Sequence, residues 1–425
     1  MNSGSFLSYD ERYIWHPYTQ MQLVPRAIGV ERGEGACLHL SDGRKVLDGI
    51  SSWWVTLHGH AHPKIAKAIA EQAAKLEQVI FANFTHEPAS LLAKRLVEIT
   101  PDGLDKVFFS DNGSTAVEAA IKMAIQYWTL MGEERTEILA LEHAYHGDTF
   151  GAMSISARGY FTDPFENYLF RVNRLPFPET NTTSEEQFLV AFRSEAKKKK
   201  AAAFIYEPLL LGSGGMLIWR AEILEEALRI AKENDILCIA DEVLTGFGRT
   251  GTMFASEQAE TKPDLMTLSK GITGGFLPMG ITMASQKIFD AFLSDDRKKT
   301  FFHGHSYTGN PISCAAALAS LRVFDEEPVF ERIKTIVEAH KEFAPKLAAK
   351  HNLQHRQIGT VSVLEPKEST GYLNKKSLEW AAKALDLGLL IRPLGDTLYL
   401  LPPYATTRQD LEMAYEVMDR ILRVE

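Results

Sequence analysis

Cysteine is scarce in this sequence, and its scarcity argues against a fold built on disulfide bonds. Three cysteines, Cys37, Cys238 and Cys314, occur among 425 residues. They are far apart and odd in number, and no CxxC pair exists, so neither a disulfide framework nor a structural zinc site is expected. The same composition fits a reducing compartment, and we expect the protein to be cytoplasmic.

Long apolar runs and an excess of basic residues are also missing. No run of 18 uncharged apolar residues occurs, so no helix is expected to span a membrane, and residues 1–10 lack the pattern of a secretory signal. Lys and Arg number 46 against 55 Asp and Glu, a formal net charge of −9. This balance disfavours a nucleic-acid partner, and the one basic cluster, Lys197–Lys200, is interpreted as a solvated helix end.

Strand and helix patterns alternate through the middle of the chain. Continuous apolar runs such as Ala201–Tyr206, Ile236–Ala240 and Leu265–Leu268 are typical of strands buried on both faces. Helical patterns separate these runs, which predicts parallel βαβ units in an α/β fold.

Three parts of the chain are expected. Residues 1–60 are interpreted as an irregular, aromatic-rich segment. Residues 61–325 are predicted to form the large domain. Residues 326–425 change in character and predict a smaller α+β domain.

Polar residues follow several predicted strands. In parallel sheets, ligands bind at these carboxyl ends of the strands. The segments concerned are Asp111–Ser114, His143–Asp148, Glu207, Asp241-Glu242 and Ser269-Lys270.

Several of these residues match the needs of pyridoxal phosphate. Desolvation at the end of a buried strand lowers the pKa of a lysine such as Lys270, which suits it to Schiff-base formation. Asp241 can be the counter-charge of a protonated heterocycle, and the helix that opens at Gly113 and Ser114 can hold a phosphate. Tyr145 can stack on a ring. Each residue alone also fits a surface lysine, an ion pair, a helix cap or a core aromatic, but together they predict this cofactor.

The segment Gly246–Gly251 matches the dinucleotide fingerprint GxGxxG. That fingerprint requires a helix to open at the glycines, and none is predicted here. A tight loop is therefore expected, in which Arg249 is either structural or lines a site.

Closely spaced histidines raise the question of a metal site. Gly59 and Pro63 interrupt the group near the end of the N-terminal segment, and no carboxylate or cysteine completes it. We therefore expect no bound metal and interpret this group, and a second pair later in the chain, as turns. The residues are His58, His60, His62, His303 and His305.

Taken together, the motifs resemble the class III aminotransferases of fold type I over almost the full chain. They are Asp241-Glu242-Val243, Gly246–Gly251, Ser269-Lys270-Gly271, Gly274-Gly275 and Pro278-Met279-Gly280. Further markers are similar to the branch that converts 8-amino-7-oxononanoate to 7,8-diaminononanoate in biotin synthesis, with S-adenosylmethionine as amino donor. These markers are Trp15–Tyr18, Ser51–Trp54, Tyr145–Asp148, Arg392-Pro393 and Tyr399-Leu400.

The resemblance implies a fold and a cofactor site. The fold would be a large domain that binds the cofactor (residues 61–325), with a mostly parallel central sheet flanked by helices, plus a smaller α+β domain (residues 326–425). Residues 1–60 would pack with the small domain and the active site. Lys270 would carry pyridoxal 5'-phosphate, Asp241 would pair with the ring nitrogen, and Tyr145 would lie on the ring face. The phosphate would be held by one protomer and approached by its partner, which makes the protein a homodimer. The residues concerned are Gly113 and Ser114 on one side, and His305 and Ser306 on the other.

The resemblance also implies a substrate channel. Aromatic side chains would line it, Gly304 would contribute its backbone, Arg392 would bind the carboxylate of the keto substrate, and Tyr399 would lie near the donor. The aromatic residues are Tyr18, Trp53, Trp54, Tyr145 and Tyr399.

One departure from the family leaves the donor open. Where well-known members have Pro-Thr, this chain has His305-Ser306. Ser306 keeps the hydroxyl for the phosphate, but S-adenosylmethionine and lysine both remain possible donors. The alternatives weighed are a transaminase for another ω-amine, an aminomutase, a non-enzymatic binding protein and a nicotinamide oxidoreductase. Tyr18, Trp53 and Trp54 argue against the first, and the retained Lys270 argues against the binding protein.

Overall fold

A computed structural model of the chain describes residues 3–24, 26–368, 371 and 373–423, so the first two and the last two residues of the predicted parts lie outside it. The helices are α1 (Ser3–Tyr13), α2 (Ser51–Trp54), α3 (Pro63–Ala73), α4 (Glu87–Ile99), α5 (Gly113–Leu130), α6 (Phe150–Ile155), α7 (Thr182–Lys197), α8 (Ala221–Glu233), α9 (Gln286–Ala291), α10 (Pro311–Glu326), α11 (Val329–His351), α12 (Lys376–Asp386) and α13 (Arg408–Leu422). The strands are β1 (Val30–Glu34), β2 (Cys37–Leu40), β3 (Lys45–Asp48), β4 (Lys106–Ser110), β5 (Glu137–Leu141), β6 (Asn173–Leu175), β7 (Ala201–Tyr206), β8 (Leu210–Leu211), β9 (Leu217–Ile218), β10 (Leu237–Asp241), β11 (Leu265–Leu268), β12 (Gly280–Ala284), β13 (Leu353–Ile358), β14 (Val361–Pro366), β15 (Leu389–Leu390) and β16 (Leu398–Leu400).

A seven-stranded sheet forms the centre, in the order β4-β12-β11-β10-β7-β5-β6. Its strands run in one direction except β12, which is antiparallel to both of its neighbours. The mostly parallel sheet predicted from the sequence is therefore confirmed. Strand β12 (Gly280–Ala284) was not predicted at all, and a short apolar run carries no mark of its direction in any case.

Both faces of this sheet are buried, which explains the continuous apolar runs. In β10, Leu237 and Ile239 face one hydrophobic cluster, whereas Cys238 and Ala240 face the other. Helix α5 covers the first face. Because successive side chains of a strand point to opposite faces, a strand covered on both sides needs an apolar residue at every position.

The prediction that residues 1–60 are irregular is wrong. This part contains α1 and three antiparallel strands, β1 to β3. The strand pattern was missed because β1 is largely exposed, with the sequence Val-Glu-Arg-Gly-Glu, and so lacks the alternation of a half-buried strand. Strand β15 from the C-terminal part joins β3 in parallel, which brings the two ends of the chain together.

The C-terminal part is built as predicted, from helices and short strands. Strands β13, β14 and β16 form an antiparallel sheet, and α11 and α13 pack against each other. The predicted solvated helix end also holds, since Lys197–Lys200 is exposed at the end of α7. In the described part of the chain, no helix has both the length and the apolar character needed to cross a membrane.

Candidate active site

A cavity of about 580 Å³ lies at the carboxyl ends of the central strands. Most of the residues predicted for the site meet in it, although they come from all parts of the chain. The predicted residues that line it are Tyr18, Trp53, Trp54, Gly113, Ser114, Tyr145, Asp241, Lys270, Arg392 and Tyr399.

Lys270 lies just beyond β11, on the wall of this cavity. Its φ of 43° is in the left-handed region, which is uncommon for residues other than glycine and recurs at functional sites. Burial lowers the pKa of the Lys270 amine, while the carboxylates of Asp241 and Glu207 act in the opposite direction. The Nζ atom lies 5.1 Å from the centroid of the Trp54 ring. A buried amine of this kind can act as a nucleophile and as a proton carrier.

Asp241 is the last residue of β10 and is held by three donors. Its Oδ2 accepts a hydrogen bond of 2.6 Å from His146 Nδ1. Its Oδ1 accepts 3.1 Å bonds from the Val243 amide and the Thr267 hydroxyl. Asp241 and His146 are both buried, so the carboxylate is fixed in orientation beneath the cavity. The sequence analysis pointed to the segment that contains His146 but gave this histidine no role.

Glu207 is a second buried carboxyl group in the cavity wall. It follows β7, and its two oxygens accept 3.0 Å bonds from the amides of Tyr145 and Gly212. Burial raises the pKa of Glu207 to about 7, helped by the nearby charge of Asp241 and opposed by His146. Glu207 was noted in the sequence only as a residue that follows a strand. The structure shows that it anchors the backbone of Tyr145.

The N-terminus of α5 faces the same cavity. Asn112 caps this helix: its Oδ1 accepts the Thr115 amide at 3.0 Å, and the Thr115 hydroxyl accepts the Asn112 amide in return. This arrangement leaves the first two helical N–H groups, those of Gly113 and Ser114, for an anion. A Cβ on Gly113 would lie 2.8 Å from a methyl carbon of Val243, so this position has no room for a side chain.

These features fit pyridoxal 5'-phosphate. A second glycine, Gly147, has φ of 131°, and a Cβ there would lie 2.0 Å from the Ser114 hydroxyl. Gly113 and Gly147 thus allow close packing around the N-terminus of α5. Lys270, the buried carboxylate of Asp241 and the helix end thus supply an anchor, a counter-charge for a protonated ring and an anion site in one cavity.

Aromatic side chains form the outer wall. Tyr18 contacts Trp53 and Phe161 edge-on, with ring centroids 5.5 and 5.8 Å apart. Its hydroxyl donates a 2.5 Å bond to Asp148 and lies 3.3 Å from the hydroxyl of Tyr145. Burial is the main cause that raises the pKa of Tyr145, so this side chain stays a phenol. Asp148 and Phe161 were not among the predicted site residues.

Trp54 and Tyr399 lie deeper than the sequence suggested. Both are buried, and Trp54 Nε1 donates a 3.0 Å bond to the Tyr399 hydroxyl. Trp53, in contrast, remains 40% exposed. The double tryptophan therefore splits into one ring that packs behind Lys270 and one that faces the channel.

Arg392 places a positive charge against the channel wall. Its guanidinium carbon lies 4.6 Å from the centroid of the Trp53 ring. In the described part of the chain, no carboxylate lies within ion-pair distance of it. A guanidinium that stacks on an aromatic ring and lacks an anion is well suited to bind a substrate carboxylate.

Gly304, His305 and Ser306 do not line the cavity of their own chain. They belong to the loop before α10, where the Ser306 carbonyl accepts a 2.9 Å bond from Gln78. Their predicted approach to the phosphate of a partner protomer stays a prediction.

The fingerprint-like segment Gly246–Gly251 forms turns after β10, and no α-helix opens at its glycines. The predicted tight loop is thus confirmed. Arg249 is buried outside the cavity, and its guanidinium donates a 2.9 Å bond to the Pro402 carbonyl.

The first histidine group leads into α3, as predicted. His58 lies 3.1 Å from the Ser320 hydroxyl, His60 lies 2.9 Å from Asp48, and His62 precedes the helix.

Comparisons with known proteins agree with this geometry. The profile of the family described as aminotransferase class-III matches residues 18–422. The adenosylmethionine-8-amino-7-oxononanoate aminotransferase of Synechococcus elongatus is 47% identical over 419 residues, which cover 96% of this chain and 98% of that protein.

Solved structures show the same likeness. The adenosylmethionine-8-amino-7-oxononanoate aminotransferase of Methanocaldococcus jannaschii has a TM-score of 0.94 at 36% identity, covering 99% of each chain. An amine transaminase from an uncultivated Pseudomonas species, solved in its PLP-bound form, has a TM-score of 0.90 at 28% identity and covers 97% of this chain and 98% of that one. The chain therefore belongs to the class III aminotransferases and is a pyridoxal phosphate-dependent enzyme of fold type I.

Proposed function

We propose that the protein transfers the amino group of S-adenosylmethionine to 8-amino-7-oxononanoate and so makes 7,8-diaminononanoate for biotin synthesis. The observation that carries this proposal is Arg392, whose guanidinium stacks on Trp53 and has no ion-pair partner among the described residues, in the cavity that also holds Lys270. The names of the relatives at 47% and 36% identity support the same substrates. The ω-amine transaminases of similar fold are more distant, for example 28% identical.

The residues of the cavity have different roles in this reaction. When bound, the cofactor supplies an electron-poor ring that accepts the electron pair of a broken C–H bond. Lys270 would hold the cofactor, and its Nζ would accept and return the proton that moves during the transfer. Asp241 keeps the positive charge on the ring nitrogen, and the Gly113 and Ser114 amides bind the phosphate. Arg392 binds the carboxylate of the keto substrate.

The donor site is assigned to the aromatic wall. Tyr18, Trp53 and Tyr145 present ring faces, which attract cations, and the sulfonium of S-adenosylmethionine is one. Lysine is cationic too, so the wall alone does not separate the two donors. The names of the relatives contain adenosylmethionine, which supports S-adenosylmethionine over lysine as the proposed donor.

The decisive experiment follows each half-reaction separately with the purified holoenzyme. Each donor is added alone, and the loss of the cofactor's visible absorbance is recorded. Conversion by S-adenosylmethionine but not by lysine is expected. Conversion by lysine alone would show that lysine is the donor, and the protein would still be a transaminase. If neither donor leads to 7,8-diaminononanoate, the proposed acceptor is wrong.

Arg392→Ala tests the acceptor site. We expect the KM for 8-amino-7-oxononanoate to rise by roughly tenfold or more, because a charge-assisted hydrogen bond contributes about 1.5–3 kcal/mol. The KM for the donor should change much less. An equal rise for both substrates would show that Arg392 does not select the keto acid.

The enzyme is further proposed to act as a cytoplasmic homodimer. Large apolar side chains are exposed on two neighbouring loops, including Ile80, Phe84, Phe302 and Tyr307, and a second copy would cover them. In this dimer His305 and Ser306 approach the partner's phosphate. Mixing the inactive variants Lys270→Ala and Ser306→Trp should restore activity through hybrid dimers, and a mixture without activity would contradict the shared site.

A further inference from the structure

The turn that carries the double tryptophan, Ser51–Trp54 (the tryptophan turn), has a strained backbone. The φ angles of Ser51, Ser52 and Trp54 are 53°, 61° and 65°. These values lie in the left-handed region, which residues other than glycine adopt rarely. Such residues persist only where the surrounding structure holds them, and they cluster at functional sites. The contacts that hold this turn therefore affect the shape of the substrate channel.

One buried carboxylate holds the turn. Asp48 is 0% exposed and lies at the end of β3. Its Oδ1 accepts the Ile50 amide at 3.1 Å, and its Oδ2 accepts the Ser52 amide at 2.6 Å. The His60 ring adds a third contact, with Nε2 2.9 Å from Oδ2.

Asp48 is also tied to the segment that carries Arg392. Strands β3 and β15 are parallel, with Asp48 opposite Leu390, and the Gly49 amide donates a 3.0 Å bond to the Leu390 carbonyl. Arg392 follows two residues later, with its guanidinium 4.6 Å from the Trp53 ring centroid. Asp48 thus lies where the two segments that supply Trp53 and Arg392 join, although it does not line the cavity itself.

We infer that Asp48 is a positioning residue for the keto acid. By fixing the tryptophan turn it holds the Trp53 ring against Arg392, so that the guanidinium is presented to the substrate carboxylate. The inference rests on the proposed function, because it needs Arg392 to bind that carboxylate.

The chemistry explains why a carboxylate is required at this position. An ionised Asp offers two acceptor oxygens, whereas Asn offers one acceptor oxygen and one donor group. In Asp48→Asn the amide NH₂ would therefore face either the Ile50 amide or the pair formed by the Ser52 amide and His60. The turn would lose part of its support without any change of volume at the site.

A purely structural role for Asp48 is the competing explanation, and Asp264→Asn is its matched control. Asp264 is also buried, and it accepts 2.8 Å bonds from the Cys238 amide and from Lys232. It precedes β11, at the end of the sheet opposite the cavity. The two substitutions therefore remove the same kind of group from two different places.

The test is steady-state kinetics of the holoenzyme variants. Asp48→Asn should raise the KM for 8-amino-7-oxononanoate roughly tenfold while the cofactor spectrum stays close to wild type. Asp264→Asn should leave this KM unchanged. In an Arg392→Ala background, Asp48→Asn should add little further, because both substitutions act on one clamp.

An unchanged KM in Asp48→Asn, an equal rise in Asp264→Asn, or full additivity with Arg392→Ala would each overturn the inference. If Asp48→Asn does not yield folded holoenzyme, His60→Ala, which removes only one of the three contacts, should raise the same KM by a smaller factor. The activity of the wild-type protein with the keto acid is measured before any variant. Wild-type protein that cannot use the keto acid would overturn the proposed function as well.

Discussion

Two ionisable groups in the cavity have environments that suit different tasks. Lys270 is buried next to the Trp54 ring, and burial lowers the pKa of its amine. Asp241 is held by three hydrogen-bond donors, with the shortest bond from His146. A desolvated amine becomes the neutral nucleophile more easily, whereas hydrogen bonds from three donors fix the orientation of the carboxylate. The same cavity therefore provides a reactive base and a fixed negative charge.

Lys270 is expected to be the attachment point of the cofactor. Reduction of the yellow holoenzyme with borohydride should fix the cofactor to this residue, since its buried amine is the one lysine nitrogen that lines the cavity in the described chain. Peptide mapping checks the position of the label. Lys270→Ala should lose nearly all turnover, because the anchor and the proton carrier are removed together. A label on any other lysine would contradict the assignment.

Asp241→Asn should keep the fold and most cofactor binding but slow the first half-reaction. A charge-assisted hydrogen bond of this kind contributes about 1.5–3 kcal/mol, which corresponds to a rate loss of roughly 10- to 150-fold. Thr267→Val is the matched control, because it removes one 3.1 Å bond to the same carboxylate and keeps the charge. Its loss should be much smaller. Similar losses in the two variants would point to orientation rather than charge.

The site residues lie at the ends of strands and helices, which brings them together in one cavity. Helix α5 shows this most directly, since its N-terminus is capped by Asn112 and its first residue has no side chain. Cofactor binding should therefore depend on the shape of this helix end as well as on the lysine.

Gly113→Ala tests this dependence. The added methyl group would lie 2.8 Å from a Val243 methyl carbon, so the helix end or the Val243 side chain must move. We expect the Kd of the cofactor, measured by equilibrium dialysis, to rise by roughly tenfold, as a strain of about 1–3 kcal/mol implies. Adding Val243→Ala removes the clashing methyl groups and should recover much of the affinity. No recovery would mean that the loss has a cause other than this contact.

The sequence predicted the elements that carry strong patterns and missed those that do not. Strands β7, β10 and β11 were predicted within one residue, because burial on both faces leaves a continuous apolar run. Strand β1 was missed because it is mostly exposed. The residues that follow strands, such as Asp241 and Lys270, were found from their positions. Contacts such as that between His146 and Asp241 join residues 95 positions apart, and no local pattern encodes them.

At the scale of the whole molecule, the cavity depends on three distant parts of the chain. Tyr18 and Trp53 come from the N-terminal segment, Asp241 and Lys270 from the central sheet, and Arg392 from the C-terminal part. The parallel pairing of β3 with β15 links the first of these parts to the last. A fragment without either end would thus lack a wall of the substrate channel.

The stability of the molecule should depend on buried neutral histidines. His340 of α11 contacts α13, with Nδ1 2.7 Å from the Tyr415 hydroxyl and Nε2 3.2 Å from the Thr360 carbonyl. Burial lowers the pKa of His340 to about 3, and burial has the same effect on His58. In an unfolded chain a histidine has a pKa of about 6.5. Protons therefore bind only the unfolded state as the pH falls from 6.5 toward 3, and stability decreases over this range by about 1.4 kcal/mol per pH unit for each such histidine.

His340→Gln should make this decrease shallower. The measurement is the midpoint of thermal unfolding of the holoenzyme between pH 7.5 and 4.5, at constant protein and cofactor concentration. Glu207, whose raised pKa acts in the opposite direction, is present in both proteins and cancels in the comparison. Tyr415→Phe is the control, because it removes a partner of His340 but no group that titrates in this range, and it should lower the midpoint similarly at every pH. Parallel curves for wild type and His340→Gln would show that His340 does not contribute to the acid sensitivity of the fold.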